Sequence, residues 1–163
     1  GRTWQCGTIQ LDMQLPKRFN LEYVAADGTK KEPIMIHRVV YGSIDRFLGI
    51  ITENFAGAFP TWLAPVQVKV MNIAESSLDY AKQIYDKLVL AGIRAENDDR
   101  NEKISYKIRE GAKEKLPYMI VVGDKEKENG TITLRMRGNK QEFGVKLDDF
   151  IARIKEEITK QKI

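Results

Sequence analysis

Downstream of residue 65, the sequence alternates between short apolar segments and longer segments with helical periodicity, and this alternation limits the folds open to the chain. The strand-like segments are VQVKVMNI, IRAEND, the uniformly apolar YMIVVG, and GTITLRMRG, whose alternation predicts exposed polar residues. The helix-like segments are Glu75 to Ala91, Glu102 to Leu116, and LDDFIARIKEEI. In the second helix, Ile104, Ile108 and Ala112 have the spacing of an inward face. This order of segments predicts an α/β fold with a mixed, largely parallel sheet flanked by helices.

A connector bracketed by prolines, GAFPTWLAPVQ, separates this region from the first part of the chain. Upstream of it, GTIQLDM and PIMIHRVV predict two strands, and Ser43 to Asn54 predicts a helix. The polar segment between the two strands, EYVAADGTKKEP, predicts turns. We therefore expect two domains, at residues 1–60 and 65–163, of which the first is a strand–strand–helix unit.

The composition is that of a soluble globular protein, since 42% of the 163 residues are hydrophobic and 31% are charged. Cys6 is the only cysteine, which excludes an internal disulfide and suits a reducing compartment such as the cytoplasm. The longest apolar runs are too short to cross a bilayer, so we expect no membrane partner. A net charge of +4 permits a polyanionic partner without requiring one. Because Gly1 is no initiator, we expect a fragment of a longer protein.

The helix that follows Ser43 carries an arginine and a glycine on the side opposite its apolar stripe. The stripe consists of Ile44, Phe47, Leu48, Ile51 and Phe55, with Ser43 placed to cap the N-terminus. Arg46 lies roughly 200° around the helix from Ile44, beside Gly49. A glycine within a helix costs about 1 kcal/mol relative to alanine, which makes sense where a flat group must approach the backbone. A solvated arginine with an incidental glycine is the alternative interpretation.

Four segments resemble the threonyl-tRNA synthetases, a family of class II aminoacyl-tRNA synthetases. In chain order they are WQCGTIQLD, IHRVVYGSIDRFLGIITENFAG, FPTWLAPVQV and RNEKISYKIRE. The resemblance runs through the whole chain and includes the connector, so it is much more specific than a single G-x-x-x-R match. It implies that residues 1–60 end an antiparallel class II catalytic domain and that residues 65–163 form the anticodon-binding domain.

The resemblance assigns the arginine of this helix to the third signature motif of class II synthetases, where an arginine lies against the adenine of ATP. Gly42, Ser43, Arg46 and Gly49 match that motif. The chemistry agrees, because a guanidinium is planar and permanently charged and can stack on an aromatic ring. The positions that would line the threonine pocket are Gln5, Cys6, Thr8 and Gln10. An ordinary buried thiol is the alternative for Cys6.

His37, taken alone, is an ordinary strand histidine on the same face as Met35 and Val39. The resemblance implies that it is one ligand of a zinc ion that binds the amino and hydroxyl groups of threonine. The family's other two protein ligands, a cysteine and a histidine, would lie upstream of Gly1. Zinc needs three protein ligands when substrate completes its coordination, so we expect no zinc on this chain alone. Zinc and Mg-ATP are expected only in the longer parent protein.

The resemblance also places tRNA-reading side chains in the second domain. Asn101, Arg109, Glu126 and Arg135 match anticodon-reading positions, and Lys115 matches a position that holds the RNA backbone. Splayed anticodon bases expose their Watson–Crick edges, and a glutamate suits the donor groups of guanine. A solvated turn for Glu126, within GDKEKENG, and an exposed strand face for Arg135 are the alternatives.

Two functions follow from these observations. The first is part of a homodimeric threonine–tRNA ligase, which activates threonine with Mg-ATP and transfers it to threonine tRNA. The second is a free-standing RNA-binding or regulatory protein without catalysis. The intact Arg46 helix favours the first. Because the family's first two signature motifs are not in this sequence, we expect the chain alone to be inactive.

Overall fold

The computed structural model describes residues 2–162 and contains two compact units, divided along the chain between Glu53 and Asn54. The strands of the first unit are β1 (Thr8–Asp12), β2 (Tyr23–Val24), β3 (Lys30–Lys31) and β4 (Met35–Val39). Its helices are α1 (Leu15–Arg18) and α2 (Ile44–Asn54), whose last residue reaches the second unit. Strands β1 and β4 pair antiparallel, with Gln10 opposite His37. The two predicted strands and the predicted helix are therefore present.

A small hairpin occupies the segment for which only turns were predicted. Strands β2 and β3 pair antiparallel, with Tyr23 opposite Lys31. Asp27 accepts hydrogen bonds from the backbone and the hydroxyl of Thr29, and Gly28 has a φ of +78°. An Asp-Gly pair of this kind favours a tight hairpin turn, a signal that the sequence contained.

The second unit is built on one five-stranded sheet. Its strands are β5 (Val68–Asn72), β6 (Ala95–Asp98), β7 (Tyr118–Val122), β8 (Ile132–Met136) and β9 (Gln141–Val145). Its helices are α3 (Leu78–Leu90), α4 (Ile104–Lys113), α5 (Asp124–Asn129) and α6 (Leu147–Thr159). The strand order is β6-β5-β7-β8-β9, in which β5 pairs parallel with β6 and β7, and β8 pairs antiparallel with β7 and β9. The sheet is mixed and flanked by helices, as predicted.

Helices cover the two sides of this sheet unequally. On one side, α3 and α6 bury the main core, which includes Val70, Ile84, Ile120 and Phe150. On the other side, α4 covers a smaller cluster of Met71, Leu116 and Met119. We call these the α6 side and the α4 side. The α4 side is covered by fewer helices, so a large ligand could reach the strands from this side.

Several local predictions for the second unit were wrong. The predicted inward residue Ala112 is exposed, whereas Lys107 and Gly111 of α4 are buried. Thr133 is also buried although its strand pattern predicted exposure, and its hydroxyl is satisfied by donating to Glu126. Strand β9 and helix α5 were not predicted, since QEFGV contains a glycine and DKEKEN has no apolar stripe.

The apolar stripe of α2 is not packed against a core within this structure. No residue of α2 is buried, and Ile44 and Leu48 are 70% and 51% exposed. The helix begins at Ile44, where the carbonyl of Ser43 accepts a hydrogen bond from the Phe47 amide. Among residues 2–162, no helix is long and apolar enough to cross a membrane.

Candidate functional sites

The paired strands β1 and β4 form the floor of a broad hollow in the first unit. Because Gln10 pairs with His37 and Thr8 with Val39, the predicted pocket residues Thr8, Gln10 and His37 share one face. The hollow has a volume of about 990 Å³ and is lined by Gln10, His37 and Asp12, among others. Polar side chains on one face of this strand pair could orient a small substrate here.

His37 is held in place by a carboxylate. Its Nε2 lies 3.0 Å from Oδ2 of Asp12. The amide of Leu15, the His37 contact and the amide of Gln14 together keep the pKa of Asp12 below its ordinary value. Asp12 is a residue that the sequence interpretation missed, although it lies two residues after Gln10 on the same strand face. It fixes the orientation of the imidazole ring.

The described residues do not form a zinc site by themselves. Within residues 2–162, no group of three His, Cys, Asp or Glu side chains is arranged to hold a metal ion. His37 is the only histidine of the chain, and Cys6 is a half-buried free thiol on the segment before β1. The residues present therefore do not fit a zinc ion without further ligands.

The residues of the third-motif segment adjoin the pocket segment through Gly42. Gly42 has a φ of +66°, and a Cβ built on it would lie 3.0 Å from the carbonyl oxygen of Cys6 and 3.6 Å from that of Gln5. A residue with a side chain would be strained there and would push this backbone apart. The structure thus brings Gly42 beside Gln5 and Cys6.

The surface of α2 around its arginine is open. Arg46 is exposed, and a Cβ added at Gly49 would meet no atom within 4 Å. Tyr41 and Phe47 pack their rings 4.6 Å apart at the start of the helix. The open strip beside Arg46 has room for a flat ring against the backbone at Gly49.

In the second unit, Glu126 has a structural role as well as a predicted reading role. The segment GDKEKENG folds into α5 and is not only a solvated turn. One carboxylate oxygen of Glu126 accepts a hydrogen bond from the Gly123 amide at 3.0 Å, and the other accepts one from the Thr133 hydroxyl at 2.8 Å. Burial raises the pKa of Glu126, but these hydrogen bonds outweigh it, so the pKa lies below its ordinary value. Glu126 is therefore ionised and held in a fixed orientation.

Lys115 and Arg135 line a common hollow of about 190 Å³. Lys115 follows α4 with a φ of +57°, and its ammonium group donates to the carbonyl of Ala56. Its own carbonyl accepts a hydrogen bond from Nε of Arg137 at 2.7 Å. Lys115 therefore links Ala56, just before the connector, to Arg137, just after β8, through contacts that sequence reasoning did not predict.

The five predicted RNA-reading residues belong to the α4 side of the sheet or to the segments around it. Arg135 pairs with Met119, which packs under α4, and so points to that side. Glu126 reaches the same side through Thr133, two residues earlier on β8. Arg109 is exposed on α4, Asn101 lies in the loop that leads into α4, and Lys115 follows it. The guanidinium, ammonium and carboxylate groups thus lie on or beside the α4 side, whereas Asn101 lines a separate hollow with Ile73 and Leu78.

A buried network that the sequence interpretation missed holds the loop that carries Asn101. The ammonium of Lys107, which is 1% exposed, donates to Oδ1 of Asn72 at 2.9 Å and to the carbonyl of Asp98 at 2.9 Å. Arg100 donates to both carboxylate oxygens of Asp98, at 2.8 and 2.6 Å, and to Glu110 at 2.7 Å. These bonds fix the ends of β5 and β6 at the edge of the sheet. The only sequence signal was a lysine three positions after Ile104, on the inward stripe of α4.

Comparison with known proteins places both units in synthetase families. Residues 67–157 match the family model of the anticodon binding domain, and residues 1–55 match that of the tRNA synthetase class II core domain for G, H, P, S and T. The threonine–tRNA ligase of Caldanaerobacter subterraneus subsp. tengcongensis is 60% identical over 97% of this chain and 24% of its own length. That of Clostridium acetobutylicum is 60% identical over 100% of this chain and 25% of its own length.

A solved structure has the same fold. The crystal structure of the RNA-binding domain of threonyl-tRNA synthetase from Cryptosporidium parvum Iowa II superposes with a TM-score of 0.82 at 38% identity, covering 96% of this chain and 40% of that one. The chain spans about a quarter of the length of the curated relatives named above. On these matches, the chain belongs to the threonyl-tRNA synthetase family and combines a class II core segment with an anticodon-binding domain.

Proposed function

We propose that this chain is the part of a threonine–tRNA ligase that binds the tRNA anticodon and contributes the third signature motif to the ATP site. The observation that carries the proposal is 60% identity to threonine–tRNA ligases over 97% of the chain. The complete ligase would join threonine to ATP as an adenylate and then transfer it to threonine tRNA. Both steps depend mainly on positioning and charge stabilisation.

The α4 side of the second unit supports a role in reading RNA. It offers acceptors such as Glu126 for base donors, and cations such as Arg109 and Arg135 for carbonyl groups and phosphates. The fixed carboxylate of Glu126 suits the N1–H and amino groups of guanine. Lys115 would contact the RNA backbone, and Asn101 would contact a base edge from its loop.

The first unit supports a role in substrate binding. Arg46 would stack on the adenine of Mg-ATP beside Gly49, and Gly42 and Ser43 would shape the entry to that site. Gln5, Cys6, Thr8 and Gln10 would line the threonine pocket. His37 would serve as a zinc ligand only with ligands from a longer protein. A homodimeric parent protein, a cytoplasmic location and a domain division at residues 60 and 65 are further parts of the proposal.

The proposal is tested first on RNA with the chain as it is. A labelled threonine-tRNA anticodon stem-loop is titrated at two salt concentrations, beside a loop in which guanine is replaced by adenine. We expect tighter binding to the cognate loop and weaker binding at higher salt, because phosphate contacts release counterions. Equal binding to both loops at each salt concentration would contradict a reading role.

The catalytic part is tested by ATP–pyrophosphate exchange with threonine. We expect no exchange by this chain, and exchange by the longer protein that contains it. In the longer protein, Arg46→Ala should slow the exchange reaction. The activation free energy should rise by at least the value of one charged hydrogen bond, about 1.5–3 kcal/mol. Arg38→Ala is the control, because Arg38 is an exposed arginine on the other face of β4. Exchange by the isolated chain, or equal effects of the two substitutions, would refute the assignment.

A further inference from the structure

An aromatic side chain on the edge strand β9 has no structural role in the fold. Phe143 is 73% exposed, which makes it the most exposed of the aromatic residues in the described part of the chain. A single exposed apolar residue is common on protein surfaces and carries no argument by itself. Any role for this ring depends on the side of the sheet to which Phe143 points.

The sheet register places Phe143 on the α4 side. Its neighbour Glu142 points to the α6 side, where Arg153 of α6 donates to its carboxylate at 2.8 Å. Adjacent residues of a strand point to opposite faces, so Phe143 points away from α6. Gln141, two residues earlier, pairs with Arg135, which is on the α4 side. Thr133, Arg135, Gln141 and Phe143 therefore lie on the same side of the sheet.

A β-bulge sets the position of Phe143 along the strand. Ile132 pairs with Val145 and Leu134 with Glu142, so Phe143 and Gly144 together lie opposite the single residue Thr133. Gly144 has a φ of +66°, a conformation that favours glycine. The bulge therefore holds the Phe143 ring across from the threonine that fixes the Glu126 carboxylate.

We propose that Phe143 is an RNA-binding residue, on which one unpaired anticodon base stacks while polar groups of the α4 side contact its neighbours. This inference rests on the proposed function. The exposed ring supplies an apolar surface, and the Glu126 carboxylate supplies a base-edge acceptor. Arg135 and the exposed Lys140, which line one hollow, supply positive charge. Stacking of a base on an aromatic ring is a main source of affinity for single-stranded RNA.

The experiment uses the full chain and a threonine-tRNA anticodon stem-loop. Phe143→Ala should weaken binding by about five-fold or more. Phe143→Leu keeps an apolar side chain without an aromatic face, and it should bind the stem-loop as weakly as Phe143→Ala does. Phe143→Trp should bind at least as well as the unaltered chain. Leu90→Ser changes an apolar residue that is 90% exposed on α3, and it should leave binding unchanged.

A second measurement identifies stacking directly. The fluorescent base 2-aminopurine replaces each anticodon base in turn, and we expect binding to quench it at one position with the unaltered chain and with Phe143→Trp, but not with Phe143→Leu. If the unaltered chain binds and Phe143→Ala binds within two-fold of it, this inference is wrong and the proposed function stands. If the unaltered chain binds no stem-loop, both are wrong. Equal binding by Phe143→Leu and Phe143→Trp would also overturn the stacking role.

Discussion

At the scale of single residues, Glu126 shows how one side chain can stabilise the fold and still recognise a ligand. Its two carboxylate oxygens accept hydrogen bonds from Gly123 and Thr133, which fixes the start of α5 and links it to β8. Each carboxylate oxygen can accept more than one hydrogen bond, so the donors of guanine could still be bound. The fixed orientation would lower the entropic cost of that recognition.

Substitution of Glu126 should therefore have two separable effects. Glu126→Ala should lower the free energy of unfolding by about 1 kcal/mol, because the Gly123 amide loses its capping partner. It should also reduce discrimination between the guanine loop and the adenine loop by about 1–3 kcal/mol. Urea denaturation measures the first effect, and titration of both loops measures the second.

Two variants make this result interpretable. Glu128→Ala removes an exposed carboxylate from the same helix and should change neither quantity. Lys115→Ala should weaken both loops alike and reduce the salt dependence of binding, as expected for a phosphate contact. Should Glu126→Ala weaken both loops equally, the glutamate only stabilises α5 and its reading role must be withdrawn.

At the scale of secondary-structure elements, the sequence predicted those elements whose hydrophobic pattern and packing agree. Strand β7 is uniformly apolar and lies in the centre of the sheet, and α6 has a clear apolar stripe that packs on it. Helix α5 escaped prediction because it is held by the Glu126 cap and by Gly130 in the left-handed conformation, not by an apolar face. Strand β9 escaped because pairing with β8 stabilises it in spite of its bulge.

The candidate sites were predictable to a different degree. The roles proposed for Arg46, His37 and Arg135 rest on family resemblance. Helical periodicity contributed only the position of Arg46, opposite the apolar stripe of α2 and beside Gly49. The buried Lys107 was invisible because periodicity places apolar residues inward, and a lysine inside a helix face is acceptable only when oxygen atoms receive all its donors. Those oxygens come from the ends of β5 and β6, at Asn72 and Asp98, and lie outside helix α4.

The network around Lys107 should make the second unit sensitive to acid through Asp98. The Arg100 hydrogen bonds, followed by the charge of Lys107, lower the pKa of Asp98 against the opposing effect of burial. A carboxylate with a lowered pKa stabilises the fold above its unfolded-state pKa of about 3.9, and this contribution is lost as the pH falls through the lower folded-state value. Asp98→Asn should therefore lower the free energy of unfolding by about 1–3 kcal/mol at pH 7 and by progressively less as the pH falls below about 4.

Urea denaturation of both proteins across this pH range measures the difference. Asp86→Asn is the control, because Asp86 is an exposed carboxylate on α3. This variant should have the same free energy of unfolding as the unaltered chain at every pH. If the difference in free energy of unfolding between Asp98→Asn and the unaltered chain stays constant from pH 7 to pH 2, the charge of Asp98 contributes nothing to stability.

At the scale of the whole molecule, the two units differ greatly in how much apolar surface they bury. Apart from prolines, every buried aliphatic or aromatic side chain among residues 2–162 lies between Ala64 and Ile154. The first unit has a buried Pro16 but exposes residues such as Ile9, Leu11 and Ile36 on its strand pair. Since burial of apolar surface is the main source of folding free energy, the stability of the chain must reside in the second unit.

We therefore expect residues 54–163 to fold without the first 53 residues. The shortened chain should unfold cooperatively in urea with nearly the same midpoint as the full chain, because it retains the sheet and both helix layers. Hydrogen exchange of the full chain should show slow amides in β5 and β7 and fast amides in β1 and β4, since a two-stranded ribbon without a buried face is only marginally stable in water. Loss of the cooperative transition on shortening, or equal protection of the two sets of strands, would show that the first unit stabilises the second. The shortened chain should also keep the stem-loop affinity of the full chain, because every proposed RNA contact lies beyond residue 100.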